Sequence, residues 1–168
     1  MVDKTVLDDI LERTYSADDL RSEEQAWFHR FWCTYVSEHG RLPSRSDIDP
    51  VDLPRKLLPV MMIIDVERPT DAPLRFRYRL VGTETSQFYW RDPTGACFEE
   101  IYTGQALVDF NTFFTSVVET RQPDFLENIR LPWRHEHILE YSRTAHPLAT
   151  DGWTVDRVVL VFRPEYRH

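Results

Sequence analysis

Glycine is scarce in this chain, with five in 168 residues. That leaves little room for a long flexible linker, and no glycine-rich loop of the kind that cradles phosphates is present. Cysteine is scarcer still. Cys33 and Cys97 lie far apart in no paired motif, which argues against a disulfide framework and a C-x-x-C-H haem attachment and leaves two thiols as small apolar fillers. Positive charge is in the minority, with 20 Lys and Arg against 28 Asp and Glu and a formal net charge of −8. Nucleic acid is therefore not expected as the main partner, because such proteins carry a basic surface to neutralise phosphates. No apolar run approaches the ~20 residues that span a bilayer. The first residues, "MVDKTVLDDILER", are acidic and amphipathic, unlike a secretory signal. The expected location is the cytoplasm, with no membrane partner.

What is present is an ordinary globular mixture, 42% hydrophobic and 29% charged, with enough apolar residues for a single core. Val6, Leu7, Ile10 and Leu11 fall at helical spacing, predicting a short amphipathic helix over 3–14. Ser22 followed by Gln25 is a capping-box pattern, and Trp27, Phe28, Phe31, Trp32, Tyr35 and Val36 then form a stripe that Gly40 ends. Such a stripe is buried surface or a dimer contact. Residues 42–59 contain four prolines and read as an ordered crossover, with Asp49 placed to cap a turn at Pro50.

"VMMIIDV" (60–66) reads as a strand covered on both faces, and "LRFRYRLVGTE" (74–84) as its hairpin partner. In the second, Leu74, Phe76, Tyr78 and Leu80 share one face while Arg75, Arg77 and Arg79 share the other. The arginine face is either a solvated ladder answered by carboxylates such as Asp65, Glu67 or Glu140, or a protein-contact face. Leu107, Phe110, Phe114, Val117 and Val118 predict a helix over 105–121, and strands are expected over 124–131, 138–148 and 154–162. "TDGW" reads as the last hairpin turn. The fold class is α+β, with helices covering one face of a single antiparallel sheet. Three stretches organise the chain: 1–40 as an N-terminal helical arm and cap, 41–59 as a proline-rich crossover, and 60–163 as the main domain.

The segments "LPSRSDIDPVDLPRKLLPVMMIIDV", "FRYRLVGTE", "RDPTG" and "HPLATDGWTVDRVVLVF" resemble a family of small, largely stand-alone bacterial PAS-domain proteins. The resemblance covers 27–162. It implies a PAS-like five-stranded antiparallel sheet wrapping a small-molecule pocket under helices, with the Phe76–Tyr78 face turned toward the pocket and Gly82 permitting a sharp turn. It also implies a sensory role, without naming a ligand or a cofactor.

Enzyme chemistry finds little support. His135 and His137 in "HEH" share one side of a strand, but two ligands are too few for zinc and no motif completes them. Haem would need an axial ligand, and 105–121 holds no histidine. Cys97 lacks the sequence surroundings of the reactive cysteine in flavin-binding PAS sensors. No nucleophile elbow is present. His146 reads as a hydrogen-bonded core residue more readily than a general base.

The expected ligand-binding residues are Phe76, Tyr78, Phe88, Phe110, Asn111, Phe114 and His146, with Tyr78 and Asn111 orienting polar groups between aromatic walls. The alternative is a filled core. The expected interface residues are Trp27, Phe28, Phe31 and Trp32, serving a homodimer or a signalling partner. Only "RPEYRH" follows Phe162, so a signal is expected to leave through an interface rather than through an output domain on the same chain. The rival function is a small cone-shaped α+β isomerase or dehydratase, which would place a carboxylate or imidazole base on the pocket face.

Overall fold

The computed structural model describes residues 1–89, 91–131 and 137–166. Helix α1 (Lys4–Arg13) starts where the Asp3 carboxylate accepts the N–H groups of Thr5 and Val6, and it buries Leu7 and Ile10. Helix α2 (Glu23–His39) starts at Ser22, whose hydroxyl accepts the Gln25 N–H at 3.2 Å, and ends at Gly40 in the left-handed region. The capping box is only half made. Instead of turning back to the cap, the Gln25 amide donates to the Val161 carbonyl at 3.0 Å and to Ser142 at 3.3 Å. The crossover contains single 3-10 turns at Arg45–Asp47 and Leu58–Val60. Asp49 accepts the Val51 N–H at 2.9 Å, making a turn without a helix.

Strands β1 (Met61–Glu67) and β2 (Arg75–Val81) pair as the expected hairpin, with a register shift between Ile63 and Ile64. A 3-10 turn (Thr85–Phe88), helix α3 (Phe98–Ile101) and helix α4 (Gly104–Thr120) follow. Strands β3 (Asp124–Ile129), β4 (Ile138–Leu148) and β5 (Arg157–Tyr166) complete a five-stranded antiparallel sheet of order β2-β1-β5-β4-β3. The expected α+β class therefore stands.

One boundary moves. The last strand begins at Arg157 rather than 154, because the Asp151 carboxylate holds the Trp153 and Thr154 N–H groups in a turn at 2.8 and 2.6 Å. "TDGW" thus belongs to a longer connection capped by a side chain.

The central strands are covered on both sides. Tyr141, Arg143, Phe162, Leu160, Met62, Ile64, Phe76 and Tyr78 share the face toward α3 and α4, as their register and ring contacts require. Thr144, His146, Val159, Val161, Met61 and Ile63 share the opposite face, under α2. Trp32 fixes that helix by donating its indole N–H to the Pro147 carbonyl at 2.8 Å. Beyond the reach of α2, the outer face carries the arginine ladder: Arg75 with Glu99 (2.5 Å), Arg77 with Glu67 (3.3 Å), and Arg79 and Arg157 with Asp65 (3.8 and 3.0 Å). Glu140 is not one of its partners and meets Arg130 at 3.7 Å. Such exposed pairs add little stability each. Among the described residues no helix is long and apolar enough to cross a membrane.

Gly82 is required by close approach. A Cβ there would stand 2.3 Å from the Leu58 carbonyl oxygen and 2.4 Å from that of Pro59. Gly82→Ala is expected to cost about 1 to 3 kcal/mol by forcing this backbone apart. Urea unfolding checks it, and an unchanged midpoint would contradict the steric reading.

Candidate functional site

Alternation along β2 delivers Phe76 and Tyr78 to the inner face, where both are buried. The short α3 adds Phe98 and its capping residue Tyr102, four positions apart and so on one helical face. From α4, Phe110 and Phe114 arrive with the same spacing. Phe76 meets Phe98 and Phe114 at centroid distances of 5.4 and 5.5 Å, and Tyr102 stacks on Phe110 at 4.2 Å. Phe88 packs in the same layer against Tyr141 and Phe162, at 5.4 and 5.2 Å. Five of the expected ligand-binding residues thus converge: Phe76, Tyr78, Phe88, Phe110 and Phe114.

Within this aromatic layer the hydroxyls of Tyr78, Tyr89 and Tyr102 form a triangle. Tyr89 lies 3.2 Å from each of the others, and Tyr78 and Tyr102 are directly bonded. Burial pushes all three phenols up, Tyr89 to about 12. They remain protonated at neutral pH and serve as donors and acceptors rather than as bases.

The other two expected residues lie elsewhere. Asn111 is half-buried in a groove of about 440 Å³ at the outer flank of α4, with Pro73, Leu74 and Thr115. His146 is on the opposite sheet face, under α2, because β4 alternates and Arg143 takes the inner position. There His146 and His29 form a buried pair, Nε2 to Nδ1, at 2.8 Å. His29 Nε2 meets the Tyr15 carbonyl at 2.8 Å, and a carbonyl can only accept. Neutral His29 therefore carries its proton on Nε2, and its bare Nδ1 accepts from His146 Nε2–H. Tyr15 stacks on His29 at 4.0 Å, tying the chain after α1 to this pair. Desolvation lowers the pKa of both imidazoles, and their mutual repulsion lowers that of His146 further.

The four expected interface residues divide by helical face. Phe28 and Trp32 are fully buried against the sheet. Trp27 and Phe31 are half-buried and stack in parallel at 5.7 Å on the outer side of α2. Of "HEH", His135 and Glu136 lie outside the described residues and His137 is exposed. Among the described residues no three His, Cys, Asp or Glu side chains are grouped to hold a metal.

Sequence reasoning missed Tyr89, Phe98, Tyr102, Tyr141 and Arg143 on the inner face. The parity of β4 contained a signal, since Tyr141 and Arg143 alternate with Ser142 and Thr144. An arginine within a strand nonetheless reads as a solvent-facing residue. A family model described as PAS domain matches residues 20–158. No curated protein matches the chain.

The histidine pair makes stability depend on pH. Both folded-state pKa values lie below the ordinary ~6.5, so the unfolded chain takes up protons first as pH falls. Stability is fully present above ~6.5 and declines below it, by up to about 1.4 kcal/mol per pH unit for each imidazole. Melting curves from pH 7.5 to 5 should fall more steeply for the wild-type chain than for a His29→Gln/His146→Gln variant. Parallel slopes would contradict the buried neutral pair.

Proposed function

The chain belongs to the PAS domain family, and from that premise we propose that it is a non-enzymatic sensory or regulatory module that binds a small molecule and signals through the outer face of α2. The observation that carries this reading is the tyrosine triangle. Three convergent hydroxyls within aromatic walls are the usual make-up of a small-molecule site, where apolar contact supplies affinity and a few polar groups supply orientation. Acid-base catalysis finds no comparable support. Among the described residues of the aromatic layer, the titratable groups are the phenols of Tyr78, Tyr89, Tyr102 and Tyr141 and the guanidinium of Arg143, while the Asp109 carboxylate at the neighbouring groove is exposed and accepts from Gln105. The cone-shaped isomerase or dehydratase alternative needs a carboxylate or imidazole base within that layer.

The signalling face follows from α2. Its inner side is fixed to β4 and β5, so a change in the sheet reaches the helix directly. Its outer side presents Trp27 and Phe31 in a groove with Arg30, Thr34 and Glu38. A second copy suits this surface, because Arg30 and Glu38 stand two turns apart at opposite ends. An antiparallel pair of α2 helices would set each Arg30 against the other copy's Glu38. Sedimentation across a concentration series should show a dimer that Phe31→Glu converts to monomer. A wild-type chain that stays monomeric at every concentration would contradict this arrangement.

Native mass spectrometry of the full chain, purified without denaturation, tests the ligand. A stoichiometric added mass is expected, reduced in Tyr78→Phe and Tyr102→Phe. If the cluster is only a packed core, no added mass appears and each variant simply loses hydrogen bonds worth about 0.5 to 1.5 kcal/mol.

A further inference from the structure

Resting on that sensory reading, we propose that the groove between α4 and strands β3 and β4 takes an amphipathic carboxylate, its charge held by Arg143 and its apolar tail by Phe110, Phe113, Leu126 and Ile129. The groove encloses about 400 Å³ and is lined by these residues together with Ala106, Asp109 and Arg130, a size suited to a small ligand. Its floor is unusual. Arg143 is only 5% exposed, yet among the described residues no carboxylate lies within ion-pairing distance of it, and its Nε has no hydrogen-bond acceptor.

A buried cation is costly unless it is paired and its donors are satisfied. Here the compensation is partial. The guanidinium carbon lies 4.1 Å from the Phe113 ring centroid, 5.4 Å from Phe110 and 5.7 Å from Phe114. The guanidinium donates a hydrogen bond to the neutral Tyr141 hydroxyl, and its Nε is left without an acceptor among the described residues. Ring faces stabilise the charge but leave the Nε–H edge in the guanidinium plane, where a planar carboxylate is bound two-pronged.

Among the described residues, Asp109 and Glu140 are engaged elsewhere. Asp109 accepts from Gln105 at 2.8 Å, and Glu140 meets Arg130 at 3.7 Å. The missing anion is therefore assigned to the ligand. Arg130, on an 82% exposed side chain at the rim, is already paired with Glu140, which leaves Arg143 as the groove's unpaired cation among the described residues. The remaining walls are apolar, and Leu126 stands 38% exposed opposite Arg143 in the β3–β4 register. One buried charge with a large apolar surround selects a monoanion bearing a hydrocarbon or aromatic tail over a polyanion such as a nucleotide.

Titration calorimetry of the full chain with octanoate, octan-1-ol and octylamine tests the assignment. Octanoate is expected to bind more tightly than the other two, and Arg143→Met to weaken it on the order of tenfold or more. Leu126→Trp, which narrows the groove from its exposed wall and leaves the charge intact, should also weaken octanoate without lowering the melting temperature. That variant decides the matter if Arg143→Met fails to fold. Octanol binding as tightly as octanoate, or octanoate binding unchanged by Arg143→Met or by Leu126→Trp, overturns the assignment. If octanoate does not bind while native mass spectrometry finds an uncharged molecule on the chain, the carboxylate class falls and the sensory reading stands. If neither is bound, both fall.

Discussion

The structure depends on a sheet whose central strand is dry on both sides. Residues 158–162 of β5 are buried in succession, between β1 and β4, with α2 beneath and the aromatic layer above. Every polar group entering that environment needs a partner, since an unpaired one costs about 1 to 3 kcal/mol. The Gln25 amide, the Trp32 indole and the His29 imidazole meet this demand from α2, by bonding to Val161, Pro147 and His146. They fix the position of the helix on the strands as well as its depth.

The same demand gives meaning to the inner face. A layer built from Phe76, Phe88, Phe98, Phe110 and Phe114 would be complete as a hydrophobic core without any polar atom. Three mutually bonded phenols and a stacked guanidinium are present within or beside it all the same. The phenols satisfy one another, while among the described residues the Arg143 charge meets ring faces and a neutral hydroxyl. Two polar islands in one aromatic layer are the observation on which the proposed recognition role rests. β4 and β5 carry Tyr141, Arg143 and Phe162 on one face and the α2 contacts on the other, so the proposed site and the helix share two strands.

Much of the architecture was legible because it rests on local rules. Ser22 and Gln25 marked the start of α2, the alternation in "RFRY" gave the faces of β2 up to the register shift that sets Leu80 opposite Ile63, and the period of Phe110, Phe114 and Val117 gave α4. The capping box misled in one respect: Gln25 has a better use 136 residues away at Val161 than at its own helix end. The site was only half legible. Tyr78, Tyr89 and Tyr102 belong to three segments whose meeting is a property of the folded chain. His146 was set on the wrong face because both sides of β4 are buried, so polarity could not say which side was inner. Asn111 lies one position after Phe110, about 100° around the helix, and that rotation carries it to the flank.

The central claim is that the aromatic layer under α4 is a ligand site with a charged floor. A crystal structure of the natively purified protein tests it most directly. Density for a bound molecule should lie in the groove between α4 and β3–β4, with oxygen atoms of the molecule at hydrogen-bond distance from the Arg143 guanidinium. A groove closed by its own side chains, with a protein carboxylate seated on Arg143, would contradict it.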